Sequence, residues 1–182
     1  MKVIPTKIPD VLVIEPKLIT DSRGFFMEAY NLEKYKQAGI DLNFIQDNHS
    51  GSQKGVLRGL HYQIKFPQGK LVSVIKGEVY DVAVDIRQNS PYFGQYVGEI
   101  LTEDNRKQLW VPPGFAHGFY VLSDWAEFLY KITDIYAPEW ERTIRWNDPI
   151  LNIDWPIIED YDLIISEKDS HGTNFTDAEI FR

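Results

Sequence analysis

The stretch "KLVSVIKGEVYDVAVDI", residues 70–86, constrains the fold of this chain most strongly. Two runs rich in β-branched residues flank "KGE", the pattern of a hairpin joining two strands. After the turn, Tyr80, Val82 and Val84 alternate with Asp81, Ala83 and Asp85. Period-two alternation sends these two sets to opposite faces. "EFLYKIT" alternates likewise, with Phe128, Tyr130 and Ile132 on one face, and "QLWVPPG" and "HGFYVLS" add strands around a Pro-Pro-Gly turn. Helical signals are few. "NLEKYKQAG" reads as a short helix capped by Asn31 and stopped by Gly39, and "TDAEIF" near the end reads as another. Many short strands at regular spacing predict a sandwich or barrel.

The chain has 182 residues, enough for one well-cored domain over 1–182 and short for two. With 43% hydrophobic and 14% aromatic residues a sizeable core is expected, in an all-β domain without linker or repeat. The absence of cysteine excludes a disulfide scaffold, a thiolate metal site and a cysteine nucleophile together. No apolar run approaches the roughly 20 residues needed to span a bilayer. "MKVIPTKIPDVLVIEPK" lacks the features of a secretory signal, so a cytoplasmic protein is expected, without a membrane partner. A net charge of -8 argues against nucleic-acid partners, because phosphate backbones attract basic faces. Any anion bound here must be held by a local cluster.

Such a cluster exists. "QDNHSGSQKGVLRGLHYQIKFPQGK" collects His49, Lys54, Arg58, His61, Lys65 and Lys70 with few acids between them. Arg58 lies in an otherwise apolar run, "VLRGLHY", where an unpaired charge is costly to bury. An anionic ligand supplies the missing partner, and the planar guanidinium fork suits phosphate or diphosphate oxygens. Strict alternation puts Arg58 and His61 on opposite faces, since they are three residues apart. A bulge at Gly59 re-aims one of them; without it, only one faces the ligand. His49 and His171 are expected to be structural or solvent-facing.

The segment "PPGFAHGF" resembles the second motif of the cupin superfamily, P-x-G-x-x-H, in Pro112, Gly114 and His117. Metal-binding cupins carry H-x-H in their first motif, whereas His61-Tyr62-Gln63 here lacks the second histidine. Two imidazoles fall short of the three or so convergent ligands that such ions take, so a metal-free site is expected.

The blocks "DSRGFFMEAYN", "QDNHS", "GVLRGLHYQ", "PQGKLV", "PPGFAHGF", "YKITDIYAPEWERTIRWNDP", "IDWP" and "ISEKD" cover residues 20 to 170 or so. In this order and spacing the chain resembles the dTDP-4-dehydrorhamnose 3,5-epimerase family. The resemblance implies a cupin-like jelly roll with a few short helices, no metal, no cofactor and a homodimer. It also implies inversion at C3 and C5 of a dTDP-4-keto-6-deoxyhexose, on the route to dTDP-L-rhamnose. Both centres are α to the C4 ketone, so the site must supply a base, an acid and a charge for the enolate.

By that resemblance His61 is the base, a role that suits histidine in general because the reference pKa of an imidazole, about 6.5, lies near working pH. Asp169 pairs with His61, Lys70 stabilises the enolate at the C4 oxygen, and Tyr130 is the acid. Arg23, Glu28, Gln46, Asp47, Asn48, Arg58, His117, Glu141 and Lys168 are implied to contact substrate. Of these, Arg58, with Arg23 and His117, holds the diphosphate. Tyr136 stacks on thymine, and Asp81 orients His117. Arg23 and Glu28 reach the neighbouring subunit's site. Three competing readings remain: an epimerase acting at C3 only or C5 only, a metal-dependent cupin oxygenase, and a non-catalytic nucleotide-sugar binding module.

Overall fold

A computed structural model describes residues 1–182. The chain opens with β1 (Lys2–Pro5), β2 (Leu12–Glu15), β3 (Leu18–Asp21) and β4 (Gly24–Met27), followed by helix α1 (Leu32–Gln37). Next come β5 (Gln46–Gln53), β6 (Val56–Gln63), β7 (Lys70–Lys76) and β8 (Glu78–Asp85). Then follow β9 (Tyr96–Thr102), β10 (Gln108–Val111), β11 (Phe115–Val121) and β12 (Trp125–Ile132). The chain closes with β13 (Glu141–Thr143), β14 (Ile164–Ile165) and helix α2 (Glu167–Ser170).

Two sheets face each other. The first has strand order β1-β2-β10-β7-β12-β5, and the second runs β13-β6-β11-β8-β9, with β14 paired to β6. This is an all-β jelly roll with two short helices. Between the sheets lies the main core, with Val72, Val74 and Phe128 from the first and Val79, Ala83 and Phe119 from the second.

The "KGE" turn does not close a hairpin. β7 pairs with β10 and β12, while β8 pairs with β11 and β9, so Gly77 carries the chain from one sheet to the other. Gly77 takes φ +78°, and a Cβ there would stand 2.1 Å from the Trp125 carbonyl oxygen. Hairpin and cross-over share a local signature, and the choice between them depends on strands distant in sequence. The Pro-Pro-Gly turn makes the same kind of crossing, between β10 and β11.

The alternation in β8 holds, but both of its faces are covered. Val82 and Val84 pack outward with Tyr120 and Ala116 beneath a C-terminal layer that includes Leu151, Trp155 and Phe175. Asp81 and Asp85 are fully buried on the other face. Each large apolar side chain of the C-terminal layer contributes about 1.5–3 kcal/mol by leaving water. That layer fixes the chain leading into and out of α2, which becomes part of the site.

Helix α1 forms where expected. The Asn31 side chain accepts from the Lys34 N–H at 3.1 Å, and Gly39 follows at φ +91°. "TDAEIF" is a correction. Only a single 3-10 turn forms, over Phe175–Asp177, after which Phe181 bridges to Arg87 in extended form. Tertiary pairing overrides the weak local preference of so short a segment.

Candidate active site

Arg58 and His61 share a face. On β11, Phe119 lies opposite Arg58 and His117 opposite His61, so a step of two residues on one strand meets three on the other. That extra residue is the β-bulge, and it restores both side chains to one side. Gly59 makes it possible at φ +130°, where a Cβ would lie 2.6 Å from the Gly118 Cα.

Arg58 corrects the burial argument made for it. It is exposed, so no unpaired charge is buried. Its Nε donates to Ser52 Oγ at 3.1 Å, reaching from β6 to β5, and no carboxylate pairs with it. The guanidinium is therefore oriented and uncompensated.

His61 Nε2 and Asp169 Oδ1 are 2.6 Å apart. Asp169 is only 3% exposed, and its Oδ2 also accepts from the Gly59 N–H at 3.2 Å. Burial raises the carboxyl pKa, but the bonds from His61, Gly59 and Ser166 outweigh it and hold the group below its ordinary value. A charged carboxylate on one ring nitrogen fixes the tautomer and leaves the other to take a proton. Asp169 rides on α2, whose cap is Ser166: its Oγ accepts from the Asp169 N–H at 3.1 Å.

A cavity of about 180 Å³ opens beside this pair, lined by Gln46, Asn48, His61, Gln68, Lys70, Tyr130, Ile132, Tyr136 and Glu141. Lys70 begins β7, and burial lowers its ammonium pKa to about 8 while Glu141 and Asp81 oppose the shift. Tyr130 comes from β12 on the first sheet, facing His61 on the second. Its ring packs against Phe128 at 5.9 Å, so the core role and the site role coexist. Burial, then Glu141, raises the phenol pKa, so it keeps its proton near neutral pH. At the mouth, Glu141 Oε2 accepts from Tyr136 Oη at 3.2 Å and pairs with Lys168.

Four expected residues lie elsewhere. Arg23 pairs with Asp21 at 2.6 Å and Glu28 with Lys34 at 2.6 Å, both in or beside the β3–β4 hairpin. Asp47 alternates away from Gln46 and Asn48 and pairs with Lys131 at 2.9 Å. His117 is 6% exposed and sits behind the cavity, its Nε2 2.9 Å from Asp81 Oδ1. Burial lowers its pKa against the pull of Asp81. His49 and His171 face solvent. No three His, Asp or Glu side chains converge to hold an ion.

Sequence reasoning missed Ser52, Gln63, Gln68 and Ser166. Only Ser166 had a signal: Ser166 followed three residues later by Asp169 is the spacing of a helix cap. A larger hollow of about 540 Å³ lies away from the site, with Arg87 on its wall. That arginine is already neutralised by Asp85 and Asp10, at 2.6 and 2.7 Å.

The model of the dTDP-4-dehydrorhamnose 3,5-epimerase family matches residues 5–177. The chain belongs to this family. A dTDP-4-dehydrorhamnose 3,5-epimerase of Pseudomonas aeruginosa is 58% identical over 182 residues, covering 100% of this chain and 99% of that protein. One from Shigella flexneri is 54% identical over 183 residues, with coverage of 100% and 99%. Among solved structures, a dTDP-6-deoxy-D-glucose-3,5-epimerase from Legionella pneumophila, in complex with dTDP-4-keto-L-rhamnose, superposes with a TM-score of 0.97. It is 52% identical, and the match covers 100% of this chain and 97% of that one. Epimerases of the same family thus match this chain over nearly its full length, and the Legionella enzyme shares its fold.

Proposed function

We propose that the chain inverts C3 and C5 of dTDP-4-keto-6-deoxyglucose, His61 removing the proton at each centre and Tyr130 returning a proton to the opposite face of each, the two side chains exchanging protons with solvent between the two steps. The observation that carries this is the placement of the two groups. They line one cavity from opposite sheets, and inversion requires loss of a proton from one face and gain on the other. Asp169 holds the His61 ring and stabilises the imidazolium formed. Lys70 supplies positive charge for the enolate oxygen, a preorganised electrostatic term that commonly contributes most to such catalysis.

Arg58, oriented by Ser52 and lacking a carboxylate partner, binds the diphosphate. Tyr136, 55% exposed at the mouth, offers its ring to thymine. The substrate is a nucleotide sugar, which supports a cytoplasmic setting.

The site acts in a homodimer. The β3–β4 hairpin pairs with no other strand, and it exposes Leu18, Ile19, Phe25 and Phe26, the last at 68%. A lone two-stranded hairpin is marginal, and apolar side chains left exposed on both of its faces, Ile19 beside Phe26 on one, fit burial in an interface. Packed on a second copy, the hairpin carries Arg23 and Glu28 to that copy's cavity.

The test is the configuration of the product formed from dTDP-4-keto-6-deoxyglucose, read by proton NMR. Inversion at both carbons supports the reading. Inversion at one carbon identifies a single epimerase, and no change sinks it.

A further inference from the structure

We propose that Gln63 is a positioning residue, whose buried amide sets Tyr136 against the wall that carries Gln68 and Lys70. The inference rests on the reading of Tyr136 as the ring that stacks on the base. Gln63 is the last residue of β6 and is 4% exposed. Its Nε2 donates to the Phe66 carbonyl at 2.9 Å and to the Ile135 carbonyl at 3.0 Å. Its Oε1 accepts from the Ala137 N–H at 2.9 Å and from Gln68 Nε2 at 3.4 Å. Both donors and both acceptor sites of the amide are thereby filled.

The partners are what give the network its meaning. Residues 64–69 and 133–137 are irregular segments; the Thr133 N–H still donates to the Gly69 carbonyl at 3.1 Å, but the backbone groups around Phe66 and Tyr136 lie beyond that end of the β7–β12 ladder. Tyr136 lies between Ile135 and Ala137, and both neighbours are tied to Gln63. The Tyr136 side chain has only its hydroxyl bond to Glu141. Gln68 adds a second stitch, donating to the Asp134 carbonyl at 3.3 Å and the Ile135 carbonyl at 3.0 Å. On the other segment, Phe66 sits at φ +54° with its carbonyl accepting from Gln63. Gln63 thus ties both neighbours of Tyr136 to the segment that leads into Lys70, beside the Gln68 bonds and the Thr133–Gly69 bonds that anchor the start of the Tyr136 segment.

Gln63→Leu removes all four bonds in a similar volume. Gln63→Glu keeps the acceptor for Ala137 and loses both donors. Three quantities are read for each: the Kd for dTDP, kcat with the sugar nucleotide, and amide hydrogen exchange along the chain. The expected result for Gln63→Leu is dTDP affinity lower by about tenfold or more, the scale of two lost hydrogen bonds. kcat at saturating substrate falls by less than about threefold, as for lost uniform binding. Exchange accelerates in residues 133–137 and not in β7 or β12, and Gln63→Glu lies between Leu and wild type.

Unchanged exchange in that segment overturns the proposal. Acceleration throughout the barrel in both variants, with kcat and affinity falling together, also overturns it and leaves Gln63 a structural residue. Tyr136→Ala, measured beside them, separates the two readings. A weakened Tyr136→Ala next to an unchanged Gln63→Leu overturns the proposal alone. Unchanged dTDP affinity in Tyr136→Ala overturns the stacking reading and the proposal together.

Discussion

His61 and Tyr130 line the same cavity from opposite sheets, the histidine on β6 and the tyrosine on β12. In the proposed mechanism a base and an acid so placed would flank a flat enolate, which is the geometry that inversion of a carbon centre requires. Tyr130→Phe removes only the hydroxyl, and the ring packing on Phe128 remains. The variant is expected to keep its fold and to go on exchanging substrate protons with solvent. Inverted product falls by about 10²-fold or more relative to exchange, the scale of a lost general acid. The ratio of exchange to inversion, followed by NMR, checks it. An unchanged ratio returns Tyr130 to the core alone.

Lys70 makes activity and stability diverge at alkaline pH. Its folded-state pKa is about 8, below the ordinary lysine value of 10.5. Above about 8 the amine is neutral and no longer stabilises an enolate, so kcat/KM falls as pH rises through that value. The contribution to stability has the opposite sign. Between about 8 and 10.5 the unfolded chain binds the proton and the folded chain does not, so Lys70's term rises with pH in that window. Lys70→Arg removes the alkaline limb, since a guanidinium stays charged. A limb unmoved by that substitution assigns it to another group.

Gly59 is needed for space as well as for backbone freedom. Gly39 has a positive φ of 91° with nothing within 4 Å of a Cβ, so Gly39→Ala measures strain alone, about 1 kcal/mol or somewhat more. Gly59→Ala adds a collision with β11 and moves both Arg58 and His61. It is expected to cost at least about 2 kcal/mol more and to lose most activity. Urea unfolding and kcat of the two variants provide the comparison. Equal losses would remove the bulge from the account.

The hairpin prediction concerns assembly. Phe26→Asp places a charge on the face of β3–β4 that Phe26 shares with Ile19. Sedimentation equilibrium is expected to give a dimer for the native chain and a monomer for the variant, with activity lost in parallel. A native monomer that turns over substrate would refute the shared site.

The site residues were legible in sequence through the family's motif blocks, while strand alternation by itself gave only which side chains share a face. The "EFLYKIT" pattern placed Tyr130 on the face of Phe128 and Ile132, whereas the glycine of "LRGLH" left open whether Arg58 and His61 share a face, which the pairing with β11 decides. What was not legible depends on distant partners. Whether "KGE" folds back or crosses between sheets is decided by β10, β11 and β12. Asp169 reaches His61 only because the C-terminal layer packs on the outer face of the second sheet. Gln63 carries no local pattern at all, since its four bonds go to two irregular segments. The hairpin bearing Arg23 and Glu28 finds no sheet within its own chain.

The central claim is that one histidine removes both protons. It is tested most directly by proton NMR of dTDP-4-keto-6-deoxyglucose in deuterated water with wild-type protein and with His61→Ala. The account predicts loss of the C3 and C5 proton signals together with wild type. His61→Ala should lose neither signal, while its dTDP affinity stays within a few-fold. Exchange at both carbons by His61→Ala at the wild-type rate would contradict it.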